Sequence, residues 1–276
     1  MYYSAIGLLA ILTLLIVNWD VFFDSGINEK PAWKVYRKFL FAVLAYYVTD
    51  VLWGLIESRK LSDALFVDTT VYFVAMAASL TLWVEFIVTY LEEKGPFGRA
   101  LRYLGRGLAG VVFGISILNV FIPVLFTVDE ECVYKALPSR YVLLVCQIVF
   151  LIVISVYALT VMFSSGIRAA KSFRFRMLAA FGLIMAACLF IQLWFPYLPL
   201  YSIAFMLGTC LLHSFVVREE KEDYRQELEE AGKIAELKER FRSLLDNMPG
   251  MTFTKDAETG RYLACNQAMA EYAQKD

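Results

Sequence analysis

The residues with the greatest capacity for chemistry in this sequence are acidic and aromatic side chains within long apolar segments. Asp50, Trp53 and Glu57 are spaced i, i+3 and i+7, which places them on one face of a helix, and Asp68 and Tyr72 share a face in the next apolar segment. An ionisable group in a membrane-spanning segment costs about 2.5–3.5 kcal/mol on insertion scales and therefore indicates a function. The sequence predicts no catalytic residues, so we expect these groups to bind a small molecule.

Three further residues, Gln147, Gln192 and Tyr201, fall near the same predicted side of the membrane. With the first five they predict an outward-facing ligand pocket between helices. In the alternative interpretation, the outermost acidic groups lie at the headgroup level, the glutamines join neighbouring helices, and the aromatic residues form an interfacial belt. Asp50 separates the two interpretations best, because its predicted depth leaves it least able to reach water.

Cysteine and histidine usage adds little chemistry. Of the five cysteines, only Cys132 falls in a predicted external loop, so no extracellular disulfide framework is expected. The single His213 lies near the predicted inner end of the last apolar segment, where an interhelical hydrogen bond or an interfacial position is more usual than a role as a ligand. The sequence predicts no metal site and identifies no cofactor.

Seven apolar segments must position these residues. The chain is 59% hydrophobic and only 19% charged, against about 45–50% and about 25% in soluble domains, which excludes a single soluble enzyme domain. The net charge of −1 offers no basic field for nucleic acid. About 20 apolar residues cross a bilayer, and seven segments have about that length. They are Tyr2–Trp19, Tyr36–Ile56, Phe66–Leu91, Tyr103–Phe126, Tyr141–Phe163, Met177–Phe195 and Leu198–Val217.

Basic residues in the loops predict the orientation of these segments, because cytoplasmic loops carry an excess of Lys and Arg. The second, fourth and sixth loops are poor in basic residues. The first, third and fifth loops are rich in them: Lys30, Lys34, Arg37 and Lys38; Lys94, Arg99, Arg102 and Arg106; Arg168, Lys171, Arg174 and Arg176. We therefore expect a multi-pass protein of the cell membrane with its N-terminus outside and its C-terminus in the cytoplasm.

A charged segment from Arg218 to Leu245 follows the last apolar segment. Its apolar residues, including Tyr224, Leu228 and Ala231, recur at near-heptad spacing. This pattern predicts a helical linker that forms a parallel two-stranded coiled coil, and hence a homodimer; a single amphipathic helix is the alternative. We assign these three residues to signal relay, together with Glu85, for which the alternative is an ion pair with Arg102 or Arg106.

The last residues change pattern again. The run RSLLDNMPGMTFTKDAETGRYLACNQAMAEY contains a helix end before Pro249, a strand, a turn at 256–260, a second strand and Asn266 as a helix cap. This order resembles the opening of a PAS domain, an α+β fold with a five-stranded sheet. Two strands alone cannot bury a core, so we expect the chain to end inside that domain.

The order of seven spans, helical linker and PAS opening resembles the membrane input regions of bacterial seven-transmembrane sensor proteins of the histidine kinase or diguanylate cyclase type, and the aromatic-rich spans resemble those of Clostridia. The expected fold is an all-α membrane protein: a seven-helix transmembrane bundle (1–217), a cytoplasmic helical or coiled-coil linker (218–245) and the truncated start of an α+β PAS domain (246–276). The resemblance implies a region that relays an external or intramembrane signal to a kinase or cyclase output. A transporter, or a ligand-binding membrane protein without enzymatic output, is the alternative.

Overall fold

The computed structural model of the chain describes residues 2–23, 31–91, 95–164, 169–195 and 198–273. Within these ranges the fold is mostly helical, and it divides into two compact units, Met1–Arg218 and Glu219–Asp276. Three cations used to predict the orientation, Lys30, Lys94 and Arg168, lie outside the described residues.

The first unit is built from eight described helices. Several begin at a proline, whose fixed φ suits the first helical position and whose missing N–H is not needed there. In chain order they are α1 Tyr2–Val17, α2 Trp19–Phe23, α3 Pro31–Ser58, α4 Ser62–Tyr90, α5 Pro96–Phe121, α6 Pro138–Ser164, α7 Ala169–Gln192 and α8 Leu200–Leu212. A π-helical turn at His213–Val217 follows α8.

Five of these helices are long and apolar enough to cross a membrane, so the chain is a multi-pass membrane protein. The five candidate spans are Ala32–Ser58, Ser62–Tyr90, Pro96–Phe121, Pro138–Phe163 and Phe175–Gln192. The first and last predicted spans correspond to shorter apolar helices, Ser4–Val17 and Leu200–Phe215. Seven spans therefore stay a prediction.

The predicted spans, whose bounds are approximate, extend past the observed helices at several ends. The fourth was expected to reach Phe126, but α5 ends at Phe121, and Pro123 lies in the non-helical segment that follows. The predicted first span included Trp19, which begins α2, and the predicted sixth included Phe195, which lies beyond the end of α7. An apolar run indicates a segment that prefers lipid or a protein core. It does not show whether that segment is helical or a loop.

Aromatic packing joins four helices of the first unit. Trp83 on α4 is fully buried, and its ring lies 3.9 Å from that of Phe181 on α7 and 5.8 Å from that of Phe39 on α3. Phe205 on α8 contacts Phe39 at 6.0 Å between ring centroids. Gly208 on α8 allows α8 to approach the Phe181 ring of α7, because a Cβ at this position would lie 2.2 Å from that ring.

A short antiparallel hairpin, β1 Phe126–Val128 and β2 Tyr134–Ala136, connects α5 to α6. The buried side chain of Asn119 near the end of α5 holds its entry strand: Oδ1 accepts backbone N–H groups of Val124 and Leu125, both at 2.7 Å, and Nδ2 donates to the carbonyl of Phe126. One amide thus satisfies backbone groups that the loop alone leaves unpaired.

The hairpin is fixed to α4 and closed by its own turn. The Phe126 ring stacks on Phe73 of α4 at 5.9 Å. In the turn, Asp129 accepts the backbone N–H of Val133 at 2.8 Å, and this hydrogen bond lowers the pKa of the Asp129 carboxyl. Cys132 adopts the left-handed region at φ 65°, which completes the reversal.

The second unit contains most of helix α9 Arg218–Asn247, an antiparallel hairpin of β3 Phe253–Lys255 and β4 Tyr262–Cys265, and helix α10 Gln267–Tyr272. The predicted helix end before Pro249, the two strands and the turn between them are all present. Leu228, Ile234, Leu237, Phe241 and Leu244 of α9 are exposed in the single chain.

Asn266 organises this unit. Its buried side chain accepts the backbone N–H of Met269, which confirms the predicted helix cap, and also that of Thr252 at 3.0 Å. Its amide group donates to the carbonyl of Gly250 at 2.7 Å. A single side chain therefore links the segment after α9, the hairpin and the start of α10.

Candidate functional site

Asp50 lies at a junction of three helices in the first unit. Its carboxylate is fully buried on α3 and accepts a hydrogen bond from Ser202 Oγ of α8 at 2.5 Å. Gly7 of α1 packs on the same turn, because a Cβ at that position would lie 2.6 Å from Val51 Cγ2 and 3.6 Å from Asp50 Oδ2. A buried carboxylate requires such a partner, since desolvation without one is costly.

Tyrosine hydroxyls extend this interaction across the bundle. Tyr46 OH lies 3.0 Å from Tyr72 OH of α4 and 3.4 Å from Ser202 Oγ. The serine hydroxyl has one hydrogen, and the shorter contact with Asp50 uses it, so a simultaneous hydrogen bond between Ser202 and Tyr46 requires the hydroxyl hydrogen of Tyr46, and either tyrosine can donate in the Tyr46–Tyr72 pair. We call Asp50, Ser202, Tyr46 and Tyr72 the inner polar chain.

A second group of polar side chains shares Tyr72 with this chain and contains three buried atoms that lack a hydrogen-bond partner among the described residues. We call Asp68, Tyr72, Arg140 and Tyr201 the hairpin polar cluster. Asp68 is 8% exposed and Arg140 is 6% exposed, and Asp68 Oδ2, Arg140 Nη1 and the Tyr201 hydroxyl are buried with no hydrogen-bond partner among the described residues. Such atoms are uncommon in folded proteins and require an explanation.

Tyr72 connects the cluster to the chain. It lies within electrostatic range of Asp50, Arg140 and Tyr134, and Tyr201 lies within range of Tyr72. Asp68 is one helical turn before Tyr72 on α4 and interacts electrostatically with Asp50. The two groups therefore meet at one phenol.

The β1–β2 hairpin covers the cluster. The Tyr134 ring of β2 lies edge-on to Trp53 of α3 at 6.1 Å, and the Arg140 guanidinium lies 5.9 Å from the centre of the Tyr134 ring. Trp53 Nε1 donates to Thr69 Oγ1 of α4 at 3.1 Å. The hairpin thus contacts the helices that carry Asp50, Asp68 and Arg140.

Two predicted pocket residues, Gln147 and Gln192, are buried on α6 and α7. Neither amide atom of Gln147, on α6, has a hydrogen-bond partner among the described residues, and Gln192 Oε1 on α7 is in the same condition. Gln147 is seven residues after Arg140, which places both on one face of α6.

Of the eight predicted pocket residues, the structure brings Asp50, Asp68, Tyr72 and Tyr201 together most closely; the Tyr201 ring lies 5.1 Å from that of Tyr46. Trp53 is half-buried under the hairpin. Glu57 is exposed near the end of α3, outside this group.

Glu57 instead lies near the turn of the hairpin. Burial, together with the carboxylates of Glu57 and Asp129, raises the pKa of the Cys132 thiol.

Sequence reasoning missed Ser202, Tyr46 and the role of Arg140. Ser202 is a small hydroxyl in an apolar helix, which gives no periodic signal. Arg140 is one of the few basic residues near the fourth predicted loop, and it lies two residues after Pro138 and therefore in the first turn of an apolar helix. That position was the available signal.

The predicted relay residues have different surroundings. Glu85 pairs with Arg106 at 2.8 Å, which confirms the ion-pair interpretation. In the second unit, Tyr224 is half-buried, and Leu228 and Ala231 are exposed. His213 of the π-helical turn lies 2.9 Å from Asp20 of α2, which confirms an interhelical hydrogen bond.

No family model matches the chain, and no curated protein matches it. In the described ranges, no group of three or more His, Cys, Asp or Glu side chains is arranged to hold a metal ion.

Proposed function

We propose that the chain is the membrane signal-input region of a bacterial sensory transduction protein, in which a ligand bound at the hairpin polar cluster alters the position of α8. The observation that carries this proposal is the hydrogen bond between Asp50 and Ser202, because Ser202 belongs to the last apolar helix before the linker. The signal passes to a histidine kinase or diguanylate cyclase output.

The inner polar chain supplies the first step of the relay. A ligand that contacts Tyr72 changes the hydrogen bond between Tyr72 and Tyr46, and Tyr46 also contacts Ser202. A ligand shifts an equilibrium only through its different affinity for two states. Here the two states differ in whether Tyr46 donates to Tyr72 or to Ser202.

The π-helical turn supports a conformational role for the end of α8. Single π turns within helices occur often at functional sites, and this one directly precedes α9 in the chain. His213, its first residue, is held by Asp20. In this proposal a shift of α8 changes the π turn and, through it, the linker.

The exposed apolar residues of α9 support a homodimer. Leu228, Ile234 and Leu237 are exposed in a helix rich in Glu, Lys and Arg, which is typical of a helix that pairs with a second copy. The PAS assignment is supported by the arrangement around Asn266, which links the linker end, the hairpin and the next helix.

The proposed orientation places the β1–β2 hairpin outside and the second unit in the cytoplasm. Its test is thiol labelling of intact cells with a membrane-impermeant maleimide. Glu131→Cys, in the exposed turn of the hairpin, should react in intact cells, whereas native Cys265 should react only after permeabilisation. The reverse pattern would overturn the orientation.

The relay is tested by disulfide crosslinking in membranes, with Cys265→Ser as the background. Leu228→Cys and Ala231→Cys should each crosslink in a parallel dimer, and Asp50→Asn should change the ratio of the two yields. Asp63→Asn, an exposed carboxylate of α4, is the matched control and should leave the ratio unchanged. Absence of crosslinking removes the coiled coil, and a ratio unaffected by Asp50→Asn removes the relay.

A further inference from the structure

We infer that the hairpin polar cluster binds a ligand that carries a primary ammonium group and an anionic group together, as a free amino acid or the headgroup of an aminophospholipid does. This inference rests on the proposed function of the chain and specifies its ligand. The structure points to it because Asp68, one helical turn before Tyr72, and Arg140, which interacts electrostatically with Tyr72, are both buried, and each has a side-chain atom with no hydrogen-bond partner among the described residues.

The two charges are complementary to such a ligand. Asp68 Oδ2 can accept from an ammonium, and Arg140 Nη1 can donate to a carboxylate or phosphate; neither atom has a hydrogen-bond partner in the described ranges. Both residues are more than nine-tenths buried. Burial of an unpaired charge is costly, and a ligand that pairs both removes that cost at one site.

The aromatic rings around Arg140 hold its guanidinium in position and do not neutralise its charge. The guanidinium of Arg140 packs against the rings of Tyr134 and Tyr141 at 5.9 and 5.7 Å, which holds it while leaving Nη1 unpaired. The Tyr201 hydroxyl is a third buried group without a partner in the described part of the chain. A ligand with several donors and acceptors satisfies all three.

A ligand with one charge fits less well. A simple anion would pair Arg140 but add a second negative charge near Asp68 and Asp50, which already interact electrostatically. A simple cation would pair Asp68 but leave Arg140 Nη1 without a partner. Like charges at close range are unfavourable in a poorly solvated site, so both charges on one molecule are favoured.

Free amino acids are tested on the purified protein in detergent by calorimetry. The probes are leucine with isocaproate and isoamylamine, and phenylalanine with hydrocinnamate and phenethylamine; each set contains the zwitterion, its deaminated acid and its decarboxylated amine. At least one zwitterion should bind about tenfold or more tightly than both partners, a difference of about 1.4 kcal/mol, because each partner lacks one of the two charged groups that form hydrogen bonds in the site.

The headgroup source is tested in nanodiscs. Thermal unfolding of the protein in phosphatidylcholine, which has no N–H donor, is compared with unfolding in the same lipid containing phosphatidylethanolamine. Stabilisation by phosphatidylethanolamine, with no binding of the free amino acids, assigns the site to the lipid headgroup. Binding of an amino acid in both lipids assigns it to the free molecule.

Variants assign the binding to this cluster. Asp68→Asn should make the zwitterion and its deaminated acid bind with similar affinity. Arg140→Gln should make the zwitterion and its decarboxylated amine bind with similar affinity. Asp63→Asn and Arg59→Gln, at exposed positions, are the matched controls and should bind as the native protein does. Because the probe sets compare ligands on the native protein, the test stands even if a variant misfolds.

Two results would overturn the inference: equal binding of the zwitterion and one of its single-charge partners, or no response to any probe from either source. Neither result bears on the crosslinking ratio at Leu228→Cys and Ala231→Cys, which judges the proposed function separately. The converse result is also informative. If a zwitterion binds but neither the zwitterion nor Asp50→Asn changes the crosslinking ratio, the ligand assignment stands and the proposed signalling function is wrong.

Discussion

Asp50 and Asp68 are two buried carboxylates in the same helical unit, yet their surroundings are opposite. Asp50 accepts a short hydrogen bond from Ser202 and packs against the backbone of α1 at Gly7. Asp68 has an oxygen that no described residue contacts by hydrogen bond, and Nη1 of Arg140 is in the same condition. A satisfied charge holds helices together, whereas an unsatisfied one is available to a ligand.

The largest expected effect is a loss of stability when Asp50, the carboxylate with a hydrogen-bond partner, is replaced. Asp50→Ala should lower the free energy of unfolding by about 1.5–3 kcal/mol, because it removes a hydrogen bond to a charged group and leaves Ser202 Oγ without that acceptor. Asp63→Ala, at an exposed position of α4, should change it by less than about 0.5 kcal/mol. Reversible denaturation in mixed micelles measures both changes in the free energy of unfolding. Equal effects of Asp50→Ala and Asp63→Ala would mean that the hydrogen bond of Asp50 does not stabilise the fold, and the contrast with Asp68 would be lost.

The second prediction has the opposite sign. Asp68→Leu should raise the free energy of unfolding of the ligand-free protein by about 1 kcal/mol, because it removes a buried polar atom that lacks a partner. The same denaturation experiment measures it. A loss comparable with that of Asp50→Ala would mean that Asp68 supports the fold and is not reserved for a ligand.

A double-mutant cycle sharpens the comparison further. Asp50→Ala and Ser202→Ala should show a coupling energy of about 1 kcal/mol, because the two side chains share one hydrogen bond. Asp68→Ala with Ser202→Ala should be additive to within about 0.5 kcal/mol. Additivity in the first cycle would contradict the geometry of the inner polar chain.

The smallest expected effect concerns Asp129, a carboxylate that is partnered but outside the bundle. Its lowered pKa means that it stabilises the hairpin fully above the ordinary carboxyl pKa of about 3.9, and that this contribution is lost as the pH falls through the lowered value. Fluorescence of Trp53, which contacts Tyr134, should therefore change below about pH 4 and not between pH 5 and 8. Asp129→Asn should abolish that acid transition; its persistence would assign it to another group.

The sequence predicted the apolar segments well because membrane insertion depends on composition, which is local. It could not predict the hairpin, because β1 is apolar and is held by Asn119, one polar residue within a long apolar run. Helix α5 therefore ends at Phe121, although the apolar run continues into β1.

For the site, the sequence identified Asp50 and Asp68 because charges are conspicuous in apolar segments. Their different surroundings depend on Ser202 and Arg140, which are distant along the chain, and no local pattern encodes such pairings. Glu57 shows the converse: helical spacing placed it on the face of Asp50, but its position near the end of α3 leaves it exposed.

The hydrogen bond between Asp50 and Ser202 also constrains the biosynthesis of the protein. The two residues are 152 positions apart, and at typical ribosomal speeds of about 5–20 residues per second the acceptor waits roughly 8–30 s for its donor. During that interval α3 is made and inserted without the Ser202 hydroxyl that donates to Asp50 in the folded protein. A nascent chain that stops before α8 therefore lacks this hydrogen bond between α3 and α8.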